Sequence, residues 1–191
     1  EDVQRRDNWV VVMAGGQGQR LRPFTKTRPK PMIEVGPQPV LETIVGQIMR
    51  HGFWRFMISV NYMADVIMDH FGDGSAFNAE ICYLREQQPL GTAGALSLIK
   101  DRPTQPLVAI NGDVLNRVDF SSLLRYHQDH QSVATMCVRD SNFQVPFGIV
   151  SIAAGQITKI AEKPSQRHFV NAGIYVIDPQ VLEHIPADTR F

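Results

Sequence analysis

Apolar residues fall into four short runs along the first part of this chain. They cover residues 9–13 (WVVVM), 56–60 (FMISV), 81–84 (ICYL) and 107–110 (LVAI). Runs of this length without strict alternation are typical of parallel strands that are covered on both faces. The pattern therefore predicts four strands of one buried sheet.

Helical spacing occurs between these strands. Apolar residues recur every three to four positions over residues 40–49, and Gly52 follows where a helix would end. A second helix is predicted over residues 66–71, and Asp119 precedes Phe120 as the cap of a third. Alternation of strand and helix at this pitch predicts an α/β fold with a parallel sheet and right-handed crossovers.

The pattern changes in the last third of the chain. A strand is predicted over residues 133–138, and short runs separated by turn residues follow at residues 147–152, 157–161 and 173–177. Such runs are typical of antiparallel hairpins. We therefore expect a smaller antiparallel subregion laid on the parallel sheet.

Composition fits one globular domain. Of the 191 residues 43% are hydrophobic, and the 19 basic residues balance the 19 acidic ones. The chain therefore lacks the basic excess that favours nucleic acid, and no apolar stretch reaches the roughly 20 residues of a membrane span. Residues 1–8 are polar and are predicted to be a linker remnant, which also fits an upstream regulatory domain in a longer chain. Residues 9–191 are then predicted to form the domain, which we expect to be truncated at its C-terminus.

Two cysteines and two histidines have simple structural explanations. Cys82 and Cys137 lie inside apolar runs and outside any C-x-x-C pair, so both are expected to be buried free thiols of a cytoplasmic protein, with a disulfide as the less favoured alternative. His127 and His130 are three residues apart, but no third ligand follows at zinc spacing. We expect His127 at the edge of the core and His130 in solvent.

A glycine-rich turn follows the first strand. Its small residues are Ala14, Gly15, Gly16 and Gly18. Backbone N–H groups in such a turn can approach a ligand closely and point at anionic oxygens. Arg20 and Lys30 come next, and a proline on each side of Lys30 stiffens its segment. A turn with exposed backbone N–H groups, followed by two cationic side chains, predicts a polyphosphate site.

Two better-known phosphate loops do not fit this turn. A dinucleotide fingerprint requires G-x-G-x-x-G, and Leu21 stands where its third glycine should be. A Walker loop requires Gly-Lys-Ser/Thr, which does not occur in the chain. The segment instead reads G-G-x-G-x-R-L-x-P-x-T-x-x-x-P-K-P, which resembles the signature of the sugar-1-phosphate nucleotidyltransferases, or nucleotide-sugar pyrophosphorylases.

This resemblance implies both a fold and a reaction. The fold is a Rossmann-like, mostly parallel sheet flanked by helices, with the antiparallel subregion on the sugar side, the nucleotide-diphospho-sugar transferase fold. The reaction transfers a nucleoside monophosphate from a nucleoside triphosphate to a sugar 1-phosphate, as nucleotide-sugar supply to polysaccharide biosynthesis requires. Arg20 would hold the β- and γ-phosphates, and Lys30 would contact the phosphates around the reaction centre. Self-association is left open.

A second segment, residues 86–96, resembles the family element E-x-x-P-L-G-T-A-G-A-L, best seen in the mannose-1-phosphate guanylyltransferase-like branch. It is predicted to be a turn and a helix of small residues whose N-terminus stays open to a ligand. The resemblance implies that Glu86, Gly91 and Thr92 contact the nucleotide, with Glu86 and Gly91 at the base. A carboxylate can accept hydrogen bonds from guanine N1–H and its exocyclic amine, which favours GTP.

Asp113 follows the fourth strand in the sequence Asn-Gly-Asp. These are favoured turn residues, so a simple turn is the alternative explanation. Phosphoryl chemistry on a nucleotide needs a divalent cation held by carboxylates and phosphate oxygens, for which Mg²⁺ is suited. The resemblance implies that Asp113 binds this Mg²⁺.

A further cluster lies in the hairpin region. Glu162 and Lys163 belong to an E-K-P motif, Asn171 to N-A-G, and Gly148 to F-G. The adjacent charges alone would indicate a solvated strand end. The resemblance implies instead that Lys163 binds the sugar phosphate, while Gly148, Glu162 and Asn171 line the sugar pocket.

One departure from the family pattern is the second metal-binding aspartate, which the family carries in a D-x-G-x-P-type motif. Asp178 and Asp188 stand in other sequence contexts. A non-catalytic nucleotide-sugar sensor is therefore one alternative. A cytidylyltransferase acting on a phosphate such as phosphocholine is another, and a dinucleotide oxidoreductase is the least favoured.

Overall fold

The computed structural model describes residues 3–187 and 189–191. Its α-helices are α1 (Val40–Met49), α2 (Ala64–Phe71) and α3 (Phe120–Asp129). Its strands are β1 (Arg6–Met13), β2 (Phe53–Val60), β3 (Glu80–Arg85), β4 (Leu107–Asn111), β5 (Ala134–Gln144), β6 (Ile149–Ala153), β7 (Gln156–Ala161) and β8 (Ser165–Ile177). Short 3-10 turns lie at Gln19–Leu21, Phe24–Lys26, Lys30–Met32, Ser75–Phe77, Gly94–Leu98 and Pro179–His184.

The main sheet has six strands in the order β3-β2-β1-β4-β8-β5. Strands β3, β2, β1 and β4 are parallel, whereas β8 runs antiparallel to β4. The carboxyl ends of the two central strands are adjacent, because Met13 is paired with Asn111. This confirms an α/β fold with a mostly parallel sheet, and it brings the turns after β1 and β4 to one edge.

The core lies along the central strands and helix α1. Residues Val10, Val11 and Val12 of β1 are fully buried, and α1 buries an apolar stripe that includes Leu41 and Ile44. Such burial is what a strand without a polar face requires. The four-strand prediction and the first helix are therefore confirmed.

The first strand begins earlier than the sequence predicted. Its first residue is Arg6, so Arg6 to Asn8, which we had assigned to the linker remnant, belong to the sheet. Asn8 is only 6% exposed, and its Nδ2 donates to the carbonyl oxygen of Pro106 at 2.7 Å. A polar side chain satisfied by a neighbouring backbone is compatible with burial, which is why polarity alone misplaced this boundary.

The chain divides into two compact units. The first contains the chain as far as Met136 and resumes at Gly173, and the second is Cys137–Ala172. Within the second unit, β6 and β7 form a two-stranded antiparallel sheet, as the alternating runs predicted. No residue of Cys137–Ala172 is buried.

The cysteine prediction is half right. Cys82 and Cys137 are both free, but Cys82 is exposed and Cys137 is only partly buried. Cys82 lies in β3, which is the first strand of the sheet order and has a neighbour on one side only. An outer strand of this kind leaves part of an apolar run in contact with solvent.

Helix α3 shows the predicted cap. The Asp119 carboxylate accepts a hydrogen bond from the Ser122 backbone N–H at 3.0 Å and another from the Ser122 hydroxyl at 2.9 Å. These bonds hold the pKa of Asp119 below its usual range. None of the helices in residues 3–187 and 189–191 is long and apolar enough to cross a membrane.

Candidate functional site

A pocket of about 270 Å³ lies at the carboxyl edge of the parallel strands. Its walls come from five segments that are far apart in sequence, namely the turns after β1, β3 and β4, the end of β2 and the loop that carries Lys30. The lining residues are Met13, Ala14, Gly15, Gly16, Lys30, Pro31, Ser59, Glu86, Pro89, Gly91, Thr92, Asn111, Gly112 and Asp113. Open α/β sheets bind ligands at this edge.

The glycine-rich turn is shaped by its neighbours. The N–H of Ala14 donates to the carbonyl oxygen of Ser59 at 3.1 Å, and the Ser59 hydroxyl oxygen lies 3.3 Å away. A Cβ atom on Gly15 would lie 2.5 Å from Oε1 of Glu86, so a larger residue there would require the Glu86 carboxylate to move. Glycine at this position lets the carboxylate lie close to the turn. Gly16 has open space around it.

Gly18 and Lys30 are held against each other through a buried threonine. Gly18 has φ +60°, and a Cβ there would approach both Lys30 Cβ and Thr25 Cγ2 to 2.9 Å. Thr25, which is 1% exposed, donates its hydroxyl to the carbonyl oxygen of Gly18 at 3.0 Å. The left-handed backbone and the close contact both require glycine. Thr25 thus fixes the start of the loop next to the lysine.

Lys30 and Asp113 form a direct ion pair across 83 residues of sequence. Their side chains are 36% and 34% exposed, so the pair stands at the mouth of the pocket. Asp113 is placed there by the turn after β4, in which the Gly112 N–H donates to the carbonyl oxygen of Met13 at 2.8 Å. The predicted phosphate lysine and the predicted metal ligand therefore meet at one point.

Glu86 is a buried carboxylate in the wall of the same pocket. It is 8% exposed, and its Oε2 accepts a hydrogen bond from the Leu90 backbone N–H at 2.9 Å. Its own carbonyl oxygen accepts a hydrogen bond from Nδ2 of Asn61 at 2.8 Å. The backbone and one carboxylate oxygen are thus fixed, while Oε1 lies against Gly15.

The predicted open helix after Glu86 is wrong. The segment Gly94–Leu98 is a five-residue 3-10 turn, and the N–H groups of Thr92 and Ala93 both donate to the carbonyl oxygen of Phe191, at 3.0 and 3.2 Å. The small residues G-T-A-G let this second backbone approach closely, because a Cβ on Gly91 would lie 2.6 Å from the same oxygen. Gly91 and Thr92 nevertheless line the pocket on their other side.

Arg20 is not among the residues that line this pocket. It is exposed in the 3-10 turn Gln19–Leu21, which begins directly after Gly18. The structure thus brings together Lys30, Glu86 and Asp113 but leaves the other predicted loop cation on the surface beyond Gly18.

The predicted sugar-side residues all lie in the second unit. Within it, a Cβ on Gly148 would lie 3.0 Å from Oε2 of Glu162, so Gly148 and Glu162 are neighbours. Lys163 has a positive φ of 43°, and its carbonyl oxygen accepts a hydrogen bond from Gln144 Nε2 at 3.3 Å. Asn171 lies in β8.

Four polar residues of the site were not singled out from the sequence. Ser59 and Thr25 hold the glycine-rich turn, while Asn61 supports Glu86. Asn111 lines the pocket, and a Cβ on Gly173 would lie 2.5 Å from its Nδ2. Thr25 and Asn111 stood inside quoted motifs. Ser59 and Asn61 carried no signal, because they act only through residues distant in sequence.

The donor set for a metal is small. In the part of the chain that the structure describes, no three His, Cys, Asp or Glu side chains converge to hold an ion. His127 is 2% exposed and lies between the Thr135 hydroxyl at 2.9 Å and Asp178 Oδ1 at 3.3 Å, while His130 is exposed against Tyr126. Asp188 lies outside the described residues. Asp113, at the pocket mouth, fits a cation that takes most of its ligands from phosphate oxygens.

Fold and pocket together define an α/β protein with a pocket built on a glycine-rich turn at the carboxyl edge of its sheet. The nucleotidyl transferase family model matches residues 9–190. This chain therefore belongs to the nucleotidyl transferase family, in agreement with the resemblance of its motifs.

The names of the curated relatives include more than one nucleotide base. Mannose-1-phosphate guanylyltransferase of Mycobacterium tuberculosis is 31% identical over 183 residues, covering 93% of this chain and 50% of the relative. UTP–glucose-1-phosphate uridylyltransferase of Synechocystis is 30% identical over 201 residues, covering 95% of this chain and 52% of the relative. The chain thus spans about half the length of the curated relatives it matches.

Solved structures share the fold. HddC from Yersinia pseudotuberculosis, which has also been solved in complex with GMP-PN, matches with a TM-score of 0.71 and 26% sequence identity. The match covers 95% of this chain and 81% of HddC. This agreement extends the fold assignment over nearly the whole described chain.

Proposed function

We propose that this chain transfers a nucleoside monophosphate from a nucleoside triphosphate to a sugar 1-phosphate, releasing pyrophosphate. The observation that carries the proposal is one pocket that combines a glycine-rich turn, the Lys30–Asp113 ion pair and the buried Glu86 carboxylate. Membership of the nucleotidyl transferase family supports the reaction class. The names of the guanylyltransferase and uridylyltransferase relatives support a sugar 1-phosphate as acceptor.

The chemistry needs no nucleophilic side chain. A phosphate oxygen of the sugar 1-phosphate attacks the α-phosphorus, a new phosphorus–oxygen bond forms, and the bond to the bridging oxygen of the β-phosphate breaks. The electron pair of that bond leaves with pyrophosphate. Because the attacking group and the donor are both anions, the protein has to position them and neutralise their charge.

Three cations divide this work. Arg20 holds the β- and γ-phosphates from the end of the glycine-rich turn and stabilises the departing pyrophosphate. Lys30 contacts the phosphates around the reaction centre from the pocket mouth. Lys163 binds the phosphate of the incoming sugar 1-phosphate, and Gly148, Glu162 and Asn171 contact the sugar. The backbone N–H groups of the turn supply further donors to the phosphates.

Guanine is the favoured base. An ionised carboxylate only accepts hydrogen bonds, and guanine offers it two neighbouring donors, N1–H and the exocyclic amine. Uracil and thymine offer one donor between two acceptor oxygens. Support comes from the burial of Glu86, since a fixed and desolvated carboxylate discriminates more strongly than one in water. Gly91 and Thr92 lie beside it in the pocket.

Mg²⁺ is the proposed cofactor, and Asp113 is its ligand on the protein. When bound with the nucleotide, a divalent cation of this kind neutralises charge on the phosphate oxygens. Carboxylate and phosphate oxygens are the ligands that Mg²⁺ prefers, and one or two carboxylates are sufficient when phosphates complete the shell. The exposed position of Asp113 supports this arrangement.

Pyrophosphate release across GTP, UTP, dTTP, CTP and ATP tests the proposal, with mannose and glucose 1-phosphates and phosphocholine as acceptors. We expect release with a sugar 1-phosphate and GTP. Release only with CTP and phosphocholine would indicate a cytidylyltransferase instead. Tight binding of a nucleotide sugar without any release would indicate a sensor.

Base selection is tested by Glu86→Gln, which keeps an oxygen for the Leu90 N–H while replacing the other acceptor by a donor. We expect kcat/KM for GTP to fall about tenfold or more relative to that for UTP. An unchanged ratio would remove Glu86 from base recognition. Gln87→Glu, at the exposed neighbouring position, is the matched control.

A further inference from the structure

The Lys30–Asp113 ion pair joins two residues to which the proposed reaction gives different partners. Lys30 is proposed to bind phosphate oxygens, and Asp113 is proposed to bind the divalent cation. In the structure the ammonium group instead contacts Oδ2 of Asp113 directly. The lysine charge therefore lies where the charge of the metal is needed.

Both partners come from constrained backbone. Lys30 stands between Pro29 and Pro31, both buried, and the Met32 N–H donates to the carbonyl oxygen of Pro29 at 2.9 Å. On the other side, the Val114 N–H donates to the carbonyl oxygen of Asn111 at 3.3 Å, closing the turn that carries Asp113. Only the long lysine side chain has freedom to leave the pair without a change in the main chain.

We propose that Lys30 holds the metal position at Asp113 against a free divalent cation, and releases it only when the phosphates of a nucleotide draw the ammonium group away. This proposal deepens the proposed function and rests on it for the nucleotide.

The charges explain why Lys30 leaves Asp113 only when a nucleotide is present. We call this replacement of the lysine by the metal ion the exchange. A cation that arrives alone meets a single carboxylate with a lysine ammonium already on it, and the described residues provide no cluster of three ligands to offset the repulsion. A triphosphate supplies anionic oxygens for the lysine and ligands for the cation at once. Chelation by the phosphates already makes metal binding depend on the nucleotide. Lys30 thereby makes this dependence stronger.

Binding of Mn²⁺, followed by the electron paramagnetic resonance signal of the free ion, tests the exchange without any turnover. In the absence of nucleotide we expect Lys30→Met to bind Mn²⁺ about fivefold more tightly than the wild type, because a unit positive charge within about 4 Å is removed from a partly exposed site. The gain should shrink as salt is raised. Lys26→Met, from the same loop, should leave the Kd unchanged.

The same variant should lose affinity for the nucleotide. With EDTA present, binding of a fluorescent GTP analogue to Lys30→Met should weaken severalfold, and circular dichroism should show that the variant is folded. Mn²⁺ binding to Lys30→Met that is no tighter than to the wild type, or an equal gain in Lys26→Met, would overturn the exchange. That outcome differs from failure of the proposed function, which is measured by pyrophosphate release from the unmodified chain.

Discussion

Arg20 is the residue whose observed position agrees least with its proposed role. It is exposed beyond Gly18, outside the pocket lining, yet it is proposed to hold the phosphates that leave. If it reaches them when a triphosphate is bound, Arg20→Ala should lower kcat for pyrophosphate release about 100-fold or more. Arg22→Ala, also exposed in this loop, is the control and should change kcat by no more than about twofold. Normal turnover by Arg20→Ala would contradict the role.

Asp119 allows a prediction that is independent of function. Its carboxylate caps α3 through Ser122, so Asp119→Ala should lower the free energy of unfolding by about 1 kcal/mol at pH 7. Asp129→Ala removes the same charge from the other end of the helix, where a negative charge is unfavourable, and should cost nothing. Urea unfolding of both variants measures the difference, and equal losses would contradict the cap.

The pH dependence of this contribution follows from the sign of the shift. Hydrogen bonds from Ser122 lower the pKa of Asp119 in the folded state, so the unfolded chain binds the proton more readily. The stabilisation is therefore complete above the ordinary aspartate pKa of about 3.9 and is lost as the pH falls through the lower native value. The difference between wild type and Asp119→Ala should accordingly shrink as the pH is lowered below the ordinary aspartate range, which urea unfolding over a pH series measures.

Two glycines have different structural reasons, since one lies in a closely packed turn and the other in the middle of a helix. A Cβ on Gly94 would lie 2.7 Å from the Thr189 carbonyl oxygen and 2.8 Å from Leu90 Cβ, whereas Gly46, in the middle of α1, has nothing within 4 Å. Gly94→Ala should therefore cost about 1–3 kcal/mol, and Gly46→Ala should gain about 0.5–1 kcal/mol. Thermal unfolding measures both, and a stabilised Gly94→Ala would show that residues 189–191 do not restrain this turn.

The elements themselves could largely be predicted from the sequence. Helix α1 has the predicted bounds because its apolar stripe and the glycine after it are local signals. The turn at Gly94–Leu98 was mistaken for an open helix because its glycines suit two explanations equally well, a ligand or a second backbone. What decided between them was residue Phe191, about a hundred positions away, and no local pattern carries such a contact.

In the site, too, residues within sequence motifs could be predicted, whereas contacts between distant segments could not. Lys30, Glu86 and Asp113 were predicted individually because each belongs to a motif, and the structure brings them to one pocket. The ion pair between Lys30 and Asp113 could not be predicted, since it depends on how two turns meet. Asn61 and Ser59 were missed for that reason too.

The two units of the molecule differ in how many of their side chains are buried. The first unit contains the buried strands β1, β2 and β4, whereas Cys137–Ala172 has no buried residue. Its hairpin exposes 68% of Ile152 and 65% of Ile160. A two-stranded sheet with so little buried apolar surface has only marginal stability of its own.

Hydrogen exchange should therefore separate the two units. We expect amides of β6 and β7 to exchange at least about 100-fold faster than those of β1 and β4, because local opening costs far less than global unfolding. Mass spectrometry of peptic fragments measures the ratio. Equal protection in both units would mean that the second unit does not open independently.

A nucleotide sugar should then protect the second unit selectively, if its residues make the proposed sugar contacts. Peptides that contain Glu162, Lys163 and Asn171 should exchange several times more slowly with GDP-mannose present, while the already protected strand β1 should not change. Lys163→Met provides the matched variant, because it removes the phosphate contact but leaves the hairpin backbone intact. Protection that persists fully in Lys163→Met would assign the sugar phosphate to another cation, and protection confined to the first unit would leave the second without a part in binding.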